Sequence, residues 1–209
     1  MSETSTYPSA TADAYDAVAD LYTELVQNIL DDQPLDRAVL AAFADLVRST
    51  GRTRAVEVGC GPGHMTAHLR SLGLDAFGLD IAPAMIDIAR RDHPGLRFDL
   101  SSMDAVDTPD GSLAGVLSWY SLIHTPPAEL RPYLDEFHRV LAPGGHLLLG
   151  FFEGPEIAPF DHKVVTAYRW PLDALAEQAA ASGFTEIGRM VREPRTGERH
   201  RQGRLFLTR

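Results

Sequence analysis

The chain has 209 residues, 44% hydrophobic and 23% charged, with a formal net charge of -10 and a single cysteine, Cys60. That length holds one well-buried domain rather than two full ones. The acidic balance argues against a nucleic-acid partner, which needs clustered Lys and Arg, and a lone cysteine excludes an intramolecular disulfide and suits a reducing, cytoplasmic setting.

The first dozen residues are rich in Ser, Thr and Pro and read as a flexible terminus. They are polar and acidic where a signal peptide would be basic and then apolar, and no stretch approaches the roughly 20 apolar residues of a membrane span, so no membrane partner is expected. From Asp13, placed as an N-cap, Val18, Leu21, Tyr22, Leu25, Val26 and Ile29 recur at helical spacing. A second amphipathic helix runs from Pro34 to Val47, with Val39, Leu40 and Phe43 inward and Gly51 beyond its end.

Strand and helix then alternate. "TRAVEV" (53–58), "DAFGLD" (75–80), "LRFDLS" (96–101), "GSLAGVLSWYS" (111–121) and "HLLLGFF" (146–152) read as strands, with helices "GHMTAHLRSLG", "APAMIDIARRDHPG" and "PAELRPYLDEFHRVLAPGG" between them. This order predicts a mostly parallel sheet with helices on both faces, reached by right-handed crossovers. After helix "PLDALAEQAAASG", the segments "FTEIGRMVRE" and "QGRLFLTR" form a closing antiparallel hairpin. The fold class is α/β, a Rossmann-like three-layer sandwich, with residues 13–50 forming N-terminal helices, 54–152 a cofactor-binding core, and 153–209 a substrate loop and C-terminal hairpin.

The turn after the first strand concentrates glycine: Gly59, Gly61 and Gly63, with Cys60 among them. In open α/β sheets ligands sit beyond the carboxyl ends of the strands, and glycine permits close backbone approach there. Asp80, ending the second strand, can accept both hydroxyls of a ribose, so the ligand reads as a nucleoside. The dinucleotide fingerprint G-x-G-x-x-G is broken, because His64 stands in the place of its third glycine. Glu57, just before the turn, would repel a diphosphate and suits a nucleoside carrying positive charge.

At this point the chain resembles the class I S-adenosylmethionine-dependent methyltransferases. The resemblance rests on "VEVGCGPG" (56–63), Asp80, "APAM" (82–85), "WYSLIH" (119–124), "RVLAPGG" (139–145) and the final hairpin. It implies a seven-stranded sheet with an antiparallel C-terminal strand, two N-terminal helices as a lid, and S-adenosylmethionine as cofactor, with S-adenosylhomocysteine as product. It also implies Glu57, Gly59, Cys60, Gly61 and Gly63 against the methionine part and Asp80 with Ile81 at the ribose. Met85, Ser102 and Met103 line the adenine, and Trp119 and Tyr120 lie near the sulfonium. Many relatives carry an acid near the place of Ser102; here Asp104 follows two positions later. Tyr15 and Tyr22 read either as lid residues over the cofactor or as helix residues packed on the sheet.

Methyl transfer needs mainly positioning, worth about 7–11 kcal/mol in intramolecular models. His124, just past the fourth strand, is a candidate base or substrate contact. His162, Tyr168 and Trp170, in the segment after the fifth strand, are candidate substrate contacts, with Glu153, Arg169, Arg195 and His200 as further polar ones; packing of the last helix is the plainer role for Tyr168 and Trp170. No metal site is expected, since His64 and His68 lack a third ligand, and Cys60 reads as a small loop side chain. The expected partner is a small-molecule acceptor, the chain acting as monomer or homodimer. The alternatives are a nicotinamide-dependent oxidoreductase and a non-catalytic protein that binds S-adenosylmethionine.

Overall fold

The computed structural model describes residues 7–209. Three helices come first, α1 (Tyr7–Asp16), α2 (Ala19–Val26) and α3 (Pro34–Ser49). The sequence reading starts a helix at Asp13 and runs it through Ile29. Instead Asp13 lies inside α1, residues 7–12 are helical, and residues 1–6 lie outside the description. A break at Ala17 and Val18 separates α1 from α2, next to where the Asp16 carboxylate accepts the Ala84 N–H at 2.8 Å. The end of α1 is thereby fastened to the start of α5, across the sheet edge, and the chain turns there. In α3, Pro34 occupies the first turn, where its missing N–H costs nothing, and Val39, Leu40, Phe43 and Val47 are buried.

The alternating part comprises β1 (Arg54–Val58), α4 (His64–Ser71), β2 (Asp75–Asp80), α5 (Pro83–Asp92), β3 (Phe98–Leu100), β4 (Leu113–Trp119), α6 (Leu130–Val140) and β5 (Leu141–Glu153). A short antiparallel ribbon, β6 (Ala158–Phe160) with β7 (Ala167–Arg169), precedes α7 (Leu172–Ala181), β8 (Thr185–Arg192) and β9 (Arg201–Thr208). The main sheet has seven strands in the order β3-β2-β1-β4-β5-β9-β8. All neighbours from β3 to β5 pair in parallel, and β9 runs antiparallel to both β5 and β8. This is the expected Rossmann-like architecture; the ribbon is not in the sequence reading. Its strands of three residues, one holding Pro159, are too short to show alternation.

Period-two alternation divides each strand between two cores. Ala55, Leu117 and Leu148 face α3 and α4, joining Leu40, Phe43, Val47 and Leu69. Val56, Val58, Val116 and Leu147 face the other way and bury α6 and α7 through Leu134, Phe137 and Leu175. Glu57 falls on the α4 side by the same alternation, where it meets Thr66 of that helix. β1 stands between β2 and β4, so the strand order reverses at its carboxyl end and a crevice opens there.

One ion pair spans the fold. Arg204 of β9 is fully buried, and its guanidinium donates to Asp36 of α3 at 2.8 Å. The same guanidinium lies 4.2 Å from the Trp119 ring centre and 5.0 Å from that of Tyr120. It therefore clamps the N-terminal helices, the last strand and the end of β4 together. Tyr120 carries φ +58, the one positive φ at a non-glycine position among the described residues, and its hydroxyl donates to Gln202. Strain of this kind costs about 1–3 kcal/mol and persists only where surroundings enforce it.

Candidate active site

The glycine turn joins β1 to α4. Gly59 has φ +69, and a Cβ there would come within 2.4 Å of the Ser121 Cβ. Its bareness thus makes room for the loop after β4. At Gly61, φ +51, a Cβ would have Tyr22 at 3.9 Å as its nearest neighbour, so this glycine keeps the crevice open. Gly63 is the N-cap of α4 and is packed against Phe98, away from the crevice. Cys60 is buried, and burial pushes its thiol well above the ordinary range, consistent with an inert side chain.

Two connected cavities lie over this turn. The larger, of about 400 Å³, is lined on one side by Glu57, Gly59, Cys60, Gly61, His64 and Met65, and extends past Trp119 and Tyr120 to Phe152, His162 and Arg192. The smaller, of about 70 Å³, is lined by Asp80, Ile81, Met85, Met103, Ser121 and Thr11. Tyr15, Tyr22, Gly59, Gly61, Trp119 and Tyr120 line both. The larger volume falls within the range of small-molecule sites, about 300–1,000 Å³.

The donor set fits a cationic nucleoside. Asp80 accepts the Gly61 N–H at 2.8 Å on one oxygen and the Ala82 N–H at 2.9 Å on the other, which fixes the carboxylate and leaves one lone pair on each oxygen for a diol. Ile81, Met85 and Met103 provide an apolar bed. Thr11 of α1 is 6% exposed, and its hydroxyl has no hydrogen-bond partner among the described residues. Glu57 is 2% exposed and forms no ion pair among them; its contact is the Thr66 hydroxyl, which donates to it. A buried carboxylate without a counter-ion is costly, and burial raises the Glu57 pKa from 4.5 to about 8.

That shift has a sign. Stability from this group is fully present below 4.5, where Glu57 is protonated in both states, and is lost as the pH rises towards about 8. A bound cation favours the carboxylate, so binding releases a proton. We predict that affinity for S-adenosylmethionine rises with pH up to about 8, by up to about tenfold per unit, and that calorimetry in buffers of differing ionisation enthalpy shows proton release at pH 7. Glu57→Gln should abolish the release; a release of the same size in the variant would assign it elsewhere.

His124 lies in a short 3-10 turn, Leu122–His124. Its Nδ1 is 2.9 Å from the Thr166 carbonyl, which can only accept, so Nδ1 carries the proton and Nε2 accepts the Tyr15 O–H at 2.9 Å. Burial holds its pKa down, at about 4, so the ring is neutral at working pH. It lines neither cavity; Tyr15 stands between it and them.

The cavities bring together Tyr15, Tyr22, Glu57, Gly59, Cys60, Gly61, Asp80, Ile81, Met85, Met103, Trp119, Tyr120 and His162. They do not include Gly63, Ser102, Tyr168 or Trp170. Trp170 is 4% exposed in the main core, and Tyr168 lies in β7 against that core. Glu153 pairs with Arg201, Arg169 packs along Gly154, Arg195 donates to the Asp32 carbonyl, and the His200 ring lies 4.2 Å from that of Phe160. Thr11, Ser121, Arg192 and Gln202 line the cavities without appearing in the sequence reading. Thr11 stands four residues before Tyr15, one helical turn away, and that spacing is the signal that could have found it.

Residues 55–145 match a family model described as a methyltransferase domain. The demethylmenaquinone methyltransferase of Beutenbergia cavernae is 29% identical over 154 residues, 74% of this chain and 62% of that protein. A malonyl-[acyl-carrier protein] O-methyltransferase of Yersinia pestis is 33% identical over 93 residues, 44% of this chain and 34% of that protein. The chain thus spans less than two thirds of the length of either relative. Among solved structures, 1,6-didemethyltoxoflavin-N1-methyltransferase of Burkholderia thailandensis, crystallised with S-adenosylhomocysteine, superposes with a TM-score of 0.73 at 19% identity, covering 100% of this chain and 93% of that one. Residues 55–145 are thus similar to a methyltransferase domain, and the seven-stranded fold is the one shared with that solved structure.

Proposed function

We propose that the protein transfers a methyl group from S-adenosylmethionine to a small-molecule acceptor. The observation that carries this reading is the pairing of Glu57, buried and without a counter-ion among the described residues, with Asp80, whose oxygens retain diol-accepting capacity. A cation and a ribose held on one crevice describe that cofactor, whereas a dinucleotide would set its pyrophosphate against Glu57. Bound there, the cofactor supplies an activated methyl group on a sulfonium. The side chains do the rest by exclusion and alignment: Tyr15 and Tyr22 cover the crevice, and Trp119 and Tyr120 border both its ends. His124 acts through Tyr15, holding the phenol's position, rather than on the acceptor. Similarity to relatives named for demethylmenaquinone and for malonyl-[acyl-carrier protein] supports a small or carrier-bound acceptor.

Calorimetry with S-adenosylmethionine, S-adenosylhomocysteine and NAD tests the reading. Binding of the first two and not the third is expected; tight NAD binding without response to the sulfonium would replace it with an oxidoreductase. Transfer of labelled methyl to any member of an acceptor panel separates an enzyme from a protein that only binds the cofactor.

A further inference from the structure

The half of the large cavity beyond Trp119 and Tyr120 is built from rings and cations. Tyr120 and Phe152 line it with ring centres 5.1 Å apart, His162 stands 6.0 Å from Phe152, and Phe160 packs edge-to-face against Phe152 at 5.2 Å without lining the cavity. Aromatic side chains lining a cavity favour aromatic ligands, packed offset or edge-to-face.

The charges on this side are unbalanced. Asp36 is held by Arg204, and Glu198 is bridged by both terminal nitrogens of Arg192 at 2.8 Å and 2.9 Å. Arg192 itself is 8% exposed, lines the cavity, and keeps its Nε without a partner among the described residues. Lys163, the only lysine of the chain, also lines the cavity and forms no ion pair with any described residue, while Asp161 beside it does not line the cavity. The remaining carboxylate, Glu57, belongs to the donor end.

At this end the described polar groups also lack a free base, the unpartnered His64 Nδ1 lying at the donor end with Glu57 and Gly59. The His162 Nδ1 accepts the Val164 N–H at 3.4 Å, so in the neutral ring Nε2 carries the proton and is a donor. Burial and the Lys163 charge hold this histidine below its ordinary pKa, in that neutral form. The Tyr15 proton is committed to His124. An acceptor that arrives already ionised needs no base, and it would find two donors, an ammonium and an imidazole N–H, on adjacent residues.

Building on the methyltransferase reading, we propose that the acceptor is a planar aromatic acid bound as its anion, its ring against Tyr120 and Phe152 and its ionised oxygens on Lys163 and His162.

The test is calorimetry on the full chain saturated with S-adenosylhomocysteine, titrated with 2-naphthoate and with 2-naphthamide, its uncharged counterpart. The carboxylate should bind about tenfold to a hundredfold more tightly than the amide, the range for hydrogen bonds to a charged group. Lys163→Met should erase that preference and leave S-adenosylhomocysteine affinity unchanged, and Lys163→Arg should keep the preference. Equal binding of the two probes, binding of neither, or an undiminished preference in Lys163→Met would overturn the inference while cofactor binding still stood. Absence of S-adenosylhomocysteine binding would instead overturn the methyltransferase reading and this one with it.

Discussion

Replacing Arg204 by methionine should lower the unfolding free energy by about 3–5 kcal/mol, the usual cost of stranding one member of a buried ion pair. Asp36, 6% exposed, would be left buried with its guanidinium partner gone. For a chain of this length the loss corresponds to a fall of about 10 °C in Tm. The double variant Arg204→Met with Asp36→Leu should recover most of it, because an apolar pair of similar volume removes the charge along with its partner. A single variant as stable as the parent would show that the pair contributes nothing. The site should feel the change too: without the cation beneath them, the rings of Trp119 and Tyr120 lose the contact at 4.2 Å and 5.0 Å that holds them at the mouth of both cavities.

The second large effect is expected at Asp80. Asp80→Asn should weaken S-adenosylmethionine binding by about a hundredfold, since each hydrogen bond to a charged acceptor is worth about 1.5–3 kcal/mol and the amide turns one acceptor into a donor. The substitution also sets an NH₂ group against a backbone N–H, of Gly61 or of Ala82, so part of the loss reflects a loosened turn. Measuring Tm without cofactor separates the two contributions. Asp135→Asn is the control, an exposed carboxylate of α6 paired with Arg131 on the same helix; equal cofactor affinity in the two variants would remove Asp80 from the ribose.

Much of this architecture was legible because local pattern and tertiary role agree. "TRAVEV" and "DAFGLD" are short apolar runs bounded by turn residues, and both are central strands. Glu57, the glycines and Asp80 could be read together because a strand, a turn and a helix fix them in one crevice whatever surrounds them. What escaped depends on contacts distant in sequence. Arg204 looks like a solvent-facing residue of a terminal strand; its partner, Asp36, is 168 positions away on a helix that covers it. The start of α1 was missed because a Ser, Thr and Pro rich segment has weak helical propensity, and α1 is held from outside, through the Asp16 bond to α5 and the Tyr15 bond to His124. For Trp170 the sequence offers two roles, a wall of the acceptor pocket on the ligand edge or packing of the last helix, and the second holds, since its backbone N–H donates to the Phe152 carbonyl and its ring sits in the core.

The close fit of Ser121 into the space left by Gly59 joins the turn after β1 to the loop after β4. A larger side chain at either position would push the other aside, so the two loops cannot be re-engineered one at a time. On the methyltransferase reading, changes of acceptor are better directed at the β6–β7 ribbon and its flanks, whose exchange leaves that junction untouched.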